Sequence, residues 1–246
     1  MSKTIILIPS RMSATRLPGK PLLKINGFSI ISHVFKKAKK TNIGKVVVCT
    51  EDEIILNEVK KNGGEAILTS SKHKSGSDRI WEGFKKLGIN EIDYILNLQG
   101  DEPNIDENDI VNLNNLMINH NSDIGTLATE IKTEKILSNE NIVKVEAKEK
   151  LSNKNFPIAL NFSRKNIHQK SKNIYHHIGI YIYKVNILEK FVNFDQSINE
   201  TKYKLEQLRA MDNGIKINVA LAKSSPIGID TEEDYLALKK IMEYKS

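Results

Sequence analysis

The chain has one cysteine, one tryptophan and no apolar run of the length that crosses a bilayer. A single thiol excludes an intramolecular disulfide, and Cys49, at the end of Val46-Val47-Val48-Cys49, reads as an ordinary core residue. A membrane-spanning helix needs roughly 18–20 consecutive apolar residues, and the N-terminus enters a strand pattern rather than a secretory leader. A soluble, cytoplasmic protein with no membrane insertion is expected. Internal repeats and low-complexity tails are missing as well. The net charge of +7 does not come from one basic block, because the lysines are scattered among Asn and Ile. The densest cluster, Lys36-Lys37 and Lys39-Lys40, fits the wet side of a helix that turns Ile31, Val34, Phe35 and Ala38 inward. Nucleic acid is therefore not the expected partner, whereas a substrate carrying triphosphate and carboxylate suits a basic chain.

What is present is a rhythm. At 39% hydrophobic residues, 246 residues can bury the core of one large domain, and the expectation is a single domain over 1–246. Short apolar runs alternate with helical periods: Thr4-Ile8 then Ser29-Lys40, Lys45-Thr50 then Glu53-Asn62, Glu65-Leu68 then Asp78-Leu87, Tyr94-Leu98 then Asp109-His120. This predicts an α/β fold with a mostly parallel central sheet and helices on both faces. Gly63-Gly64 and Gly88 close the second and third helices. From 123 to 185 the pattern changes to inserted strands, with Asp123-Ile131 and Ile142-Ala147 extended and the polar Lys148-Asn173 irregular, as a flap would be. Tyr175-Val185 alternates, with His177, Gly179, Tyr181 and Tyr183 on one face and Ile178, Ile180 and Ile182 on the other. A helix over Glu200-Asp212, a strand over Lys216-Leu221 and a helix from Thr231 to about Tyr244 complete the expectation.

In an open parallel sheet, ligands collect at the carboxyl ends of the strands. The segment after Thr4-Ile8, from Pro9 to Pro21, is neither a GxGxxG turn nor a GxxxxGK[ST] loop, having one glycine and three prolines. It carries three cations, Arg11, Arg16 and Lys20, of the kinds that grip phosphate oxygens, though it also reads as a solvated basic loop. Asp101, in Asn97-Leu98-Gln99-Gly100-Asp101-Glu102-Pro103, is a candidate magnesium ligand or a turn aspartate. Asp230 follows Pro226-Ile227-Gly228-Ile229 and precedes a helix that Thr231 and Asp234 would cap; capping and metal binding are compatible there. In Lys72-His73-Lys74-Ser75-Gly76-Ser77-Asp78-Arg79, Ser77 reads as a helix N-cap. Farther on, Arg164, His177, Tyr181, Glu206 and Gln207 offer a cation and hydrogen-bonding groups. Read blandly, His177 is a satisfied core residue, Glu206 pairs with Arg209, and Tyr183 and Tyr203 are packing residues.

The order of residues in the first loop resembles the sugar nucleotidyltransferases, and most closely the CMP-3-deoxy-octulosonate (CMP-KDO) synthetase family, whose run is similar to I-P-A-R-x-x-S-x-R-L-P-G-K-P-L. Ser10 stands where alanine is usual. Family stretches such as V-Q-G-D-E-P, G-V-D-T-x-E-D, H-x-S-G-[ST]-[DE]-R, F-S-R, H-x-G-I-Y and L-E-Q-L-R have counterparts here in order, from about Thr4 to Tyr235. The resemblance implies a Rossmann-like nucleotide-diphospho-sugar transferase fold, CTP bound by Pro9, Ser10, Arg11, Arg16, Lys20, Ser75, Gly76, Arg79 and Asp101, and Mg2+ held by Asp101 and Asp230. It makes Arg11, Lys20, Asp101 and Asp230 the catalytic set. It places the acidic deoxy-sugar on Gln99, Arg164, His177, Tyr181, Glu206 and Gln207, and implies a homodimer joined through the middle strands, in lipopolysaccharide precursor synthesis. The polar stretch after Asn161-Phe162-Ser163-Arg164 departs from the family, which leaves KDO, its 8-amino analogue or another ulosonic acid as the acceptor. Rival readings are a sialic-acid or sugar-1-phosphate nucleotidyltransferase and a catalytically silent nucleotide-binding module.

Overall fold

The computed structural model describes residues 3–13, 16–165, 172–226 and 228–244. Ala14, Thr15, Asn166 and Ile227 of the segments above lie outside the described residues. The chain divides into two compact units, Met1–Asn108 with Pro226–Ser246, and Asp109–Ser225.

The first unit is built from β1 (Thr4–Ser10), the short hairpin β2 (Lys24–Ile25) and β3 (Phe28–Ser29), α1 (Ile30–Lys40), β4 (Gly44–Thr50), α2 (Glu53–Lys61), β5 (Ala66–Leu68), α3 (Gly76–Leu87), β6 (Tyr94–Asn97) and the start of α4 (Glu107–His120). Its main sheet runs β6-β1-β4-β5 with every pair parallel, and β2 and β3 pair antiparallel apart from it. A parallel sheet covered by helices wants strands apolar throughout, and Ile5, Ile6, Leu7 and Ile8 are fully buried, as are Ile95 and Leu96. Each such side chain contributes roughly 1.5–3 kcal/mol on leaving water. Cys49 lies in this core, where burial pushes its thiol up to about 12. A side-chain carbon at Gly83 would collide with Cys49 Sγ, so only glycine lets α3 lie so close to β4. Gly63 and Gly88, with φ of 76° and 59°, occupy the left-handed positions expected after α2 and α3.

The second unit continues with β7 (Ile124–Glu130), α5 (Glu134–Ser138), β8 (Lys144–Ala147), β9 (Ala159–Ser163), β10 (Ile174–Lys184), α6 (Val185–Asn193), α7 (Ile198–Tyr203), α8 (Gln207–Asp212) and β11 (Ile217–Leu221). Here β10 pairs antiparallel with both β7 and β8, β8 with β9, and β11 parallel with β7. The inserted strands are present, but the stretch read as irregular contains β9, whose exposed Leu160 and Asn161 hide its alternation. The pairing of β10 with β7 slips between Ile178 and Tyr181. The helix expected over 200–212 is two helices, broken at Lys204 with φ of 55°. The break has a cause: Arg209 folds back onto Glu200, and residues nine apart on a straight helix lie about 13.5 Å apart along its axis. The chain closes with α9 (Glu232–Tyr244) back in the first unit. Thr231 and Asp234 cap it reciprocally, Thr231 N–H donating to Asp234 at 2.9 Å and Asp234 N–H to Thr231 Oγ1 at 3.2 Å. Among the described residues no helix is long and apolar enough to cross a membrane.

Candidate active site

At the carboxyl ends of β1 and β6 the first unit opens a cleft of about 370 Å³. The end of β1 contributes Pro9 and Ser10 to its walls, the loop after it Arg11, Arg16 and Lys20, and the start of α3 Ser75, Gly76 and Arg79. Gln99 and Asp101 enter from the turn after β6, and Asp230 from the turn before α9. Every nucleotide-side and metal-side candidate of the sequence therefore meets in one place.

Lys20 is fixed in position by local backbone geometry. Gly19 takes a left-handed φ of 75° and donates its N–H to Met12 O at 3.2 Å, and residues Lys20–Leu22 follow as a 3-10 turn with Pro21 buried. From there Lys20 Nζ donates to Asp101 Oδ2 at 2.6 Å and to the carbonyl of Ile229, and lies 3.7 Å from Asp230 Oδ1. Arg16 pairs with the other Asp230 oxygen at 3.0 Å. Two carboxylates from distant segments thus converge on one ammonium ion. Beside them Glu102 is a weaker acid than usual: burial, and then the charges of Asp101 and Asp230, push its carboxyl up to about 8 against the pull of Lys20. The two aspartates are met by the charges of Lys20 and Arg16, and their carboxylate oxygens are the donors a hard divalent cation takes.

The start of α3 differs from expectation in two respects. Its N-cap is Ser75, whose Oγ accepts from Asp78 N–H at 3.2 Å, while Ser77 is buried inside the first turn. Arg79 reaches the cleft, but its guanidinium is engaged by Glu51, by Thr69 Oγ1 at 2.8 Å and by Ser70 O at 3.3 Å. It braces the 69–75 loop rather than offering an open fork. A side chain at Gly76 would approach Pro9 Cγ to 3.2 Å, so the small residue keeps the two walls close. His73 was not singled out, yet it lines the cleft, its Nε2 bonded to Glu82. Burial raises the Glu82 carboxyl, but bonds from Lys86, Ser70 N–H and His73 outweigh it and hold the group at about 2. The signal was available in the His of the H-x-S-G stretch.

Of the six sugar-side candidates, Gln99 belongs to the first unit and the others to the second. The rings of His177 and Tyr181 are 5.5 Å apart, and Tyr181 and Tyr183 stack at 5.9 Å, so the predicted face survives the slip in register. Glu206 lies close enough to Tyr181 for its charge, after burial and Tyr183, to help hold the phenol protonated well above its usual range. The Tyr181 hydroxyl is buried beside Thr126 without a hydrogen bond of ordinary geometry. Gln207 is buried at the start of α8. Arg164 is not shown in this group: its Nη1 donates to Asn141 O at 3.2 Å, and its own carbonyl accepts from the buried Lys144. Glu206 does approach Arg209, at 3.9 Å, but Glu200 is the main partner of that guanidinium. Tyr183 is a packing residue as expected, whereas Tyr203 is exposed.

Burial, reinforced by His176, pushes His177 down to about 3. Thr126 Oγ1 spends its proton on the carbonyls of Ile180 and Ile178, at 2.8 and 3.2 Å, and so accepts from His177 Nε2 at 3.0 Å. The neutral ring keeps its proton on Nε2 and leaves Nδ1 as an acceptor. A linkage follows. Unfolded, this histidine takes a proton near its usual 6.5; folded, it does so only near 3. Between those values the unfolded chain binds more protons, so stability falls with falling pH, by up to about 1.4 kcal/mol per pH unit from this group. His177→Asn is expected to flatten that acid limb in urea unfolding from roughly pH 4 to pH 7; an equally steep limb would assign it to other groups.

Comparison with known proteins places these features in context. The cytidylyltransferase family profile matches residues 5–217. The chain is 46% identical over 255 residues to a 3-deoxy-manno-octulosonate cytidylyltransferase of Thermodesulfovibrio yellowstonii, covering 97% of this chain and 98% of that one. It is 41% identical over 231 residues to the protein of the same name from Paramagnetospirillum magneticum, covering 94% of each. A solved CMP:2-keto-3-deoxy-manno-octonic acid synthetase complexed with CTP superposes with a TM-score of 0.90 at 34% identity over 100% of both chains. A UDP-glucose pyrophosphorylase, at 15% identity and a TM-score of 0.72, shares the fold.

Proposed function

Because the chain belongs to the cytidylyltransferase family, we propose that it transfers CMP from CTP to the anomeric hydroxyl of 3-deoxy-manno-octulosonate, giving CMP-KDO and pyrophosphate. One observation carries this reading to the level of chemistry: Asp101 and Asp230 converge on a single ammonium ion inside a cleft whose opposite loop carries Arg11 and Arg16.

In this mechanism the sugar oxygen attacks the α-phosphorus in line, forming a phosphorus–oxygen bond. The bond from the α-phosphorus to the bridging oxygen breaks, its electron pair leaves with pyrophosphate, and the hydroxyl proton passes to water. Arg11, Arg16 and Lys20 bind the phosphates and offset the charge that builds on the leaving group. Ser75 and Gly76, with Pro9 and Ser10 across the cleft, hold the nucleoside end. Asp101 and Asp230 would hold a magnesium ion, which when bound would supply Lewis-acid polarisation and charge neutralisation. No covalent enzyme intermediate is required. On the acceptor side, within the second unit, Arg164 is the cation for the sugar carboxylate, and Tyr181, Glu206 and Gln207 are the groups for its hydroxyls. A histidine at about 3 has little affinity for a proton at neutral pH, so His177 orients the sugar as a neutral hydrogen-bonding group and does not act as the base. The same reading makes the protein a cytoplasmic homodimer in lipopolysaccharide precursor synthesis.

The test is incubation with CTP, magnesium and either KDO or its 8-amino analogue, with mass detection of the adduct and assay of pyrophosphate. CMP-KDO is the expected product. An adduct from the 8-amino sugar alone would move the acceptor, product from UTP or GTP with a sugar phosphate would overturn the assignment, and tight CTP binding without pyrophosphate would mark a silent binding module.

A further inference from the structure

Lys20 is assigned above to the triphosphate, yet its ammonium is committed elsewhere. An ammonium has three protons to donate. Here it faces Asp101 Oδ2 at 2.6 Å, the Ile229 carbonyl and Asp230 Oδ1 at 3.7 Å, and the side chain is only 12% exposed. Two carboxylates and a carbonyl are also the hard oxygen donors that a magnesium ion selects. A divalent cation shared by Asp101 and Asp230 would occupy the space the ammonium now fills, and two positive centres a few ångströms apart repel strongly in a partly dry cleft. Both cannot reside there.

We propose that Lys20 is the resident counter-ion of the metal site, holding Asp101 and Asp230 together until a divalent cation displaces its ammonium, which is thereby released toward the phosphates. This deepens the assignment of the two aspartates as metal ligands and rests on it. The 3-10 turn and the buried Pro21 fix the backbone of Lys20, so the exchange needs only the side chain to swing. The consequence is coupling: phosphate that draws Lys20 away vacates the cation site, and a cation that enters it delivers Lys20 to phosphate. Linkage makes the two effects equal in size. Arg16, paired with Asp230 at 3.0 Å but largely exposed, is a weaker version of the same contact.

The experiment is titration of the nucleotide-free protein with Mn2+, read by electron paramagnetic resonance and calorimetry and not by turnover. Removing an internal competitor should tighten Mn2+ binding in Lys20→Met by about tenfold, within the usual range of coupling between sites. Lys20→Gln, which keeps hydrogen bonding without the charge, should behave alike and guards against a packing defect in the first variant; circular dichroism checks that both are folded. Unchanged or weaker Mn2+ binding in both variants overturns the proposal. Asp101→Asn separates the two levels. If it leaves Mn2+ affinity untouched, the metal-site assignment fails and the counter-ion with it. If it weakens binding while the Lys20 variants do not strengthen it, only the counter-ion role fails.

Discussion

Asp101→Asn is expected to lower kcat/KM for CMP transfer by about 10²–10³-fold, the scale seen when one element of charge stabilisation is removed from a reacting centre, while leaving the fold intact. The substitution is isosteric and keeps an oxygen that can accept from Lys20. It removes the negative charge that, with Asp230, would hold a divalent cation against the phosphates. The structural cost is small because the side chain is 32% exposed and its ion pair with Lys20 is partly solvated. Pyrophosphate release gives the rate, and the urea midpoint shows whether the protein is still folded. Full activity in a folded Asp101→Asn protein would remove this residue from the reacting centre. Asp230→Asn should act in the same direction, since its carboxylate completes the pair.

The first half of the molecule was legible because two signals agree there. Apolar runs buried on both faces mark parallel strands, and amphipathic periods mark the helices between them, so β1, β4, β5 and β6 fall within a residue or two of expectation, whereas the two-residue strands β2 and β3 are too short to leave a period in the sequence. The site loop was legible for a different reason: Arg11, Arg16 and Lys20 cluster on a segment stiffened by Pro9, Pro18 and Pro21. What a linear reading cannot give is the partner of a cation. Arg79 and Lys20 both reach the cleft as expected, but Arg79 is engaged by Glu51 and Thr69, and Lys20 by Asp101, whose distances along the chain carry no local periodicity. His73 escaped because its anchor, Glu82, sits on the next helix and looks like an ordinary partner for Lys86 four residues on. Strand β9 escaped because an edge that exposes Leu160 and Asn161 together breaks the twofold alternation.

The broken helix over 198–212 leads to the second large effect. Arg209 and Glu200 form a two-pronged ion pair, Nε to Oε2 at 2.8 Å and Nη2 to Oε1 at 2.6 Å, with side chains 5% and 7% exposed. The guanidinium also lies 4.9 Å over the ring of Phe191, and Glu200 closes the capping box of α7 with Ser197. Removing one partner leaves a buried charge without its counter-charge, so Arg209→Met should cost on the order of 3–5 kcal/mol of unfolding free energy. For a chain of this size that corresponds to a fall in Tm of roughly 10 °C. Burial raises the Glu200 carboxyl, but the bonds from Arg209 prevail and lower it. Its contribution is therefore present above the ordinary glutamate range and lost as pH falls through the lowered value. Replacing both partners, as Glu200→Met with Arg209→Met, should recover much of the loss, because the desolvation cost disappears along with the attraction. Urea unfolding of the two single variants and the double variant measures the coupling, and a single Arg209→Met variant as stable as the parent would sink the argument. The same pair fixes the start of α8, where Glu206 and Gln207 sit. In partly stable Arg209 variants the KM for the sugar should therefore rise more than the KM for CTP, because the nucleotide cleft is built entirely from the other unit.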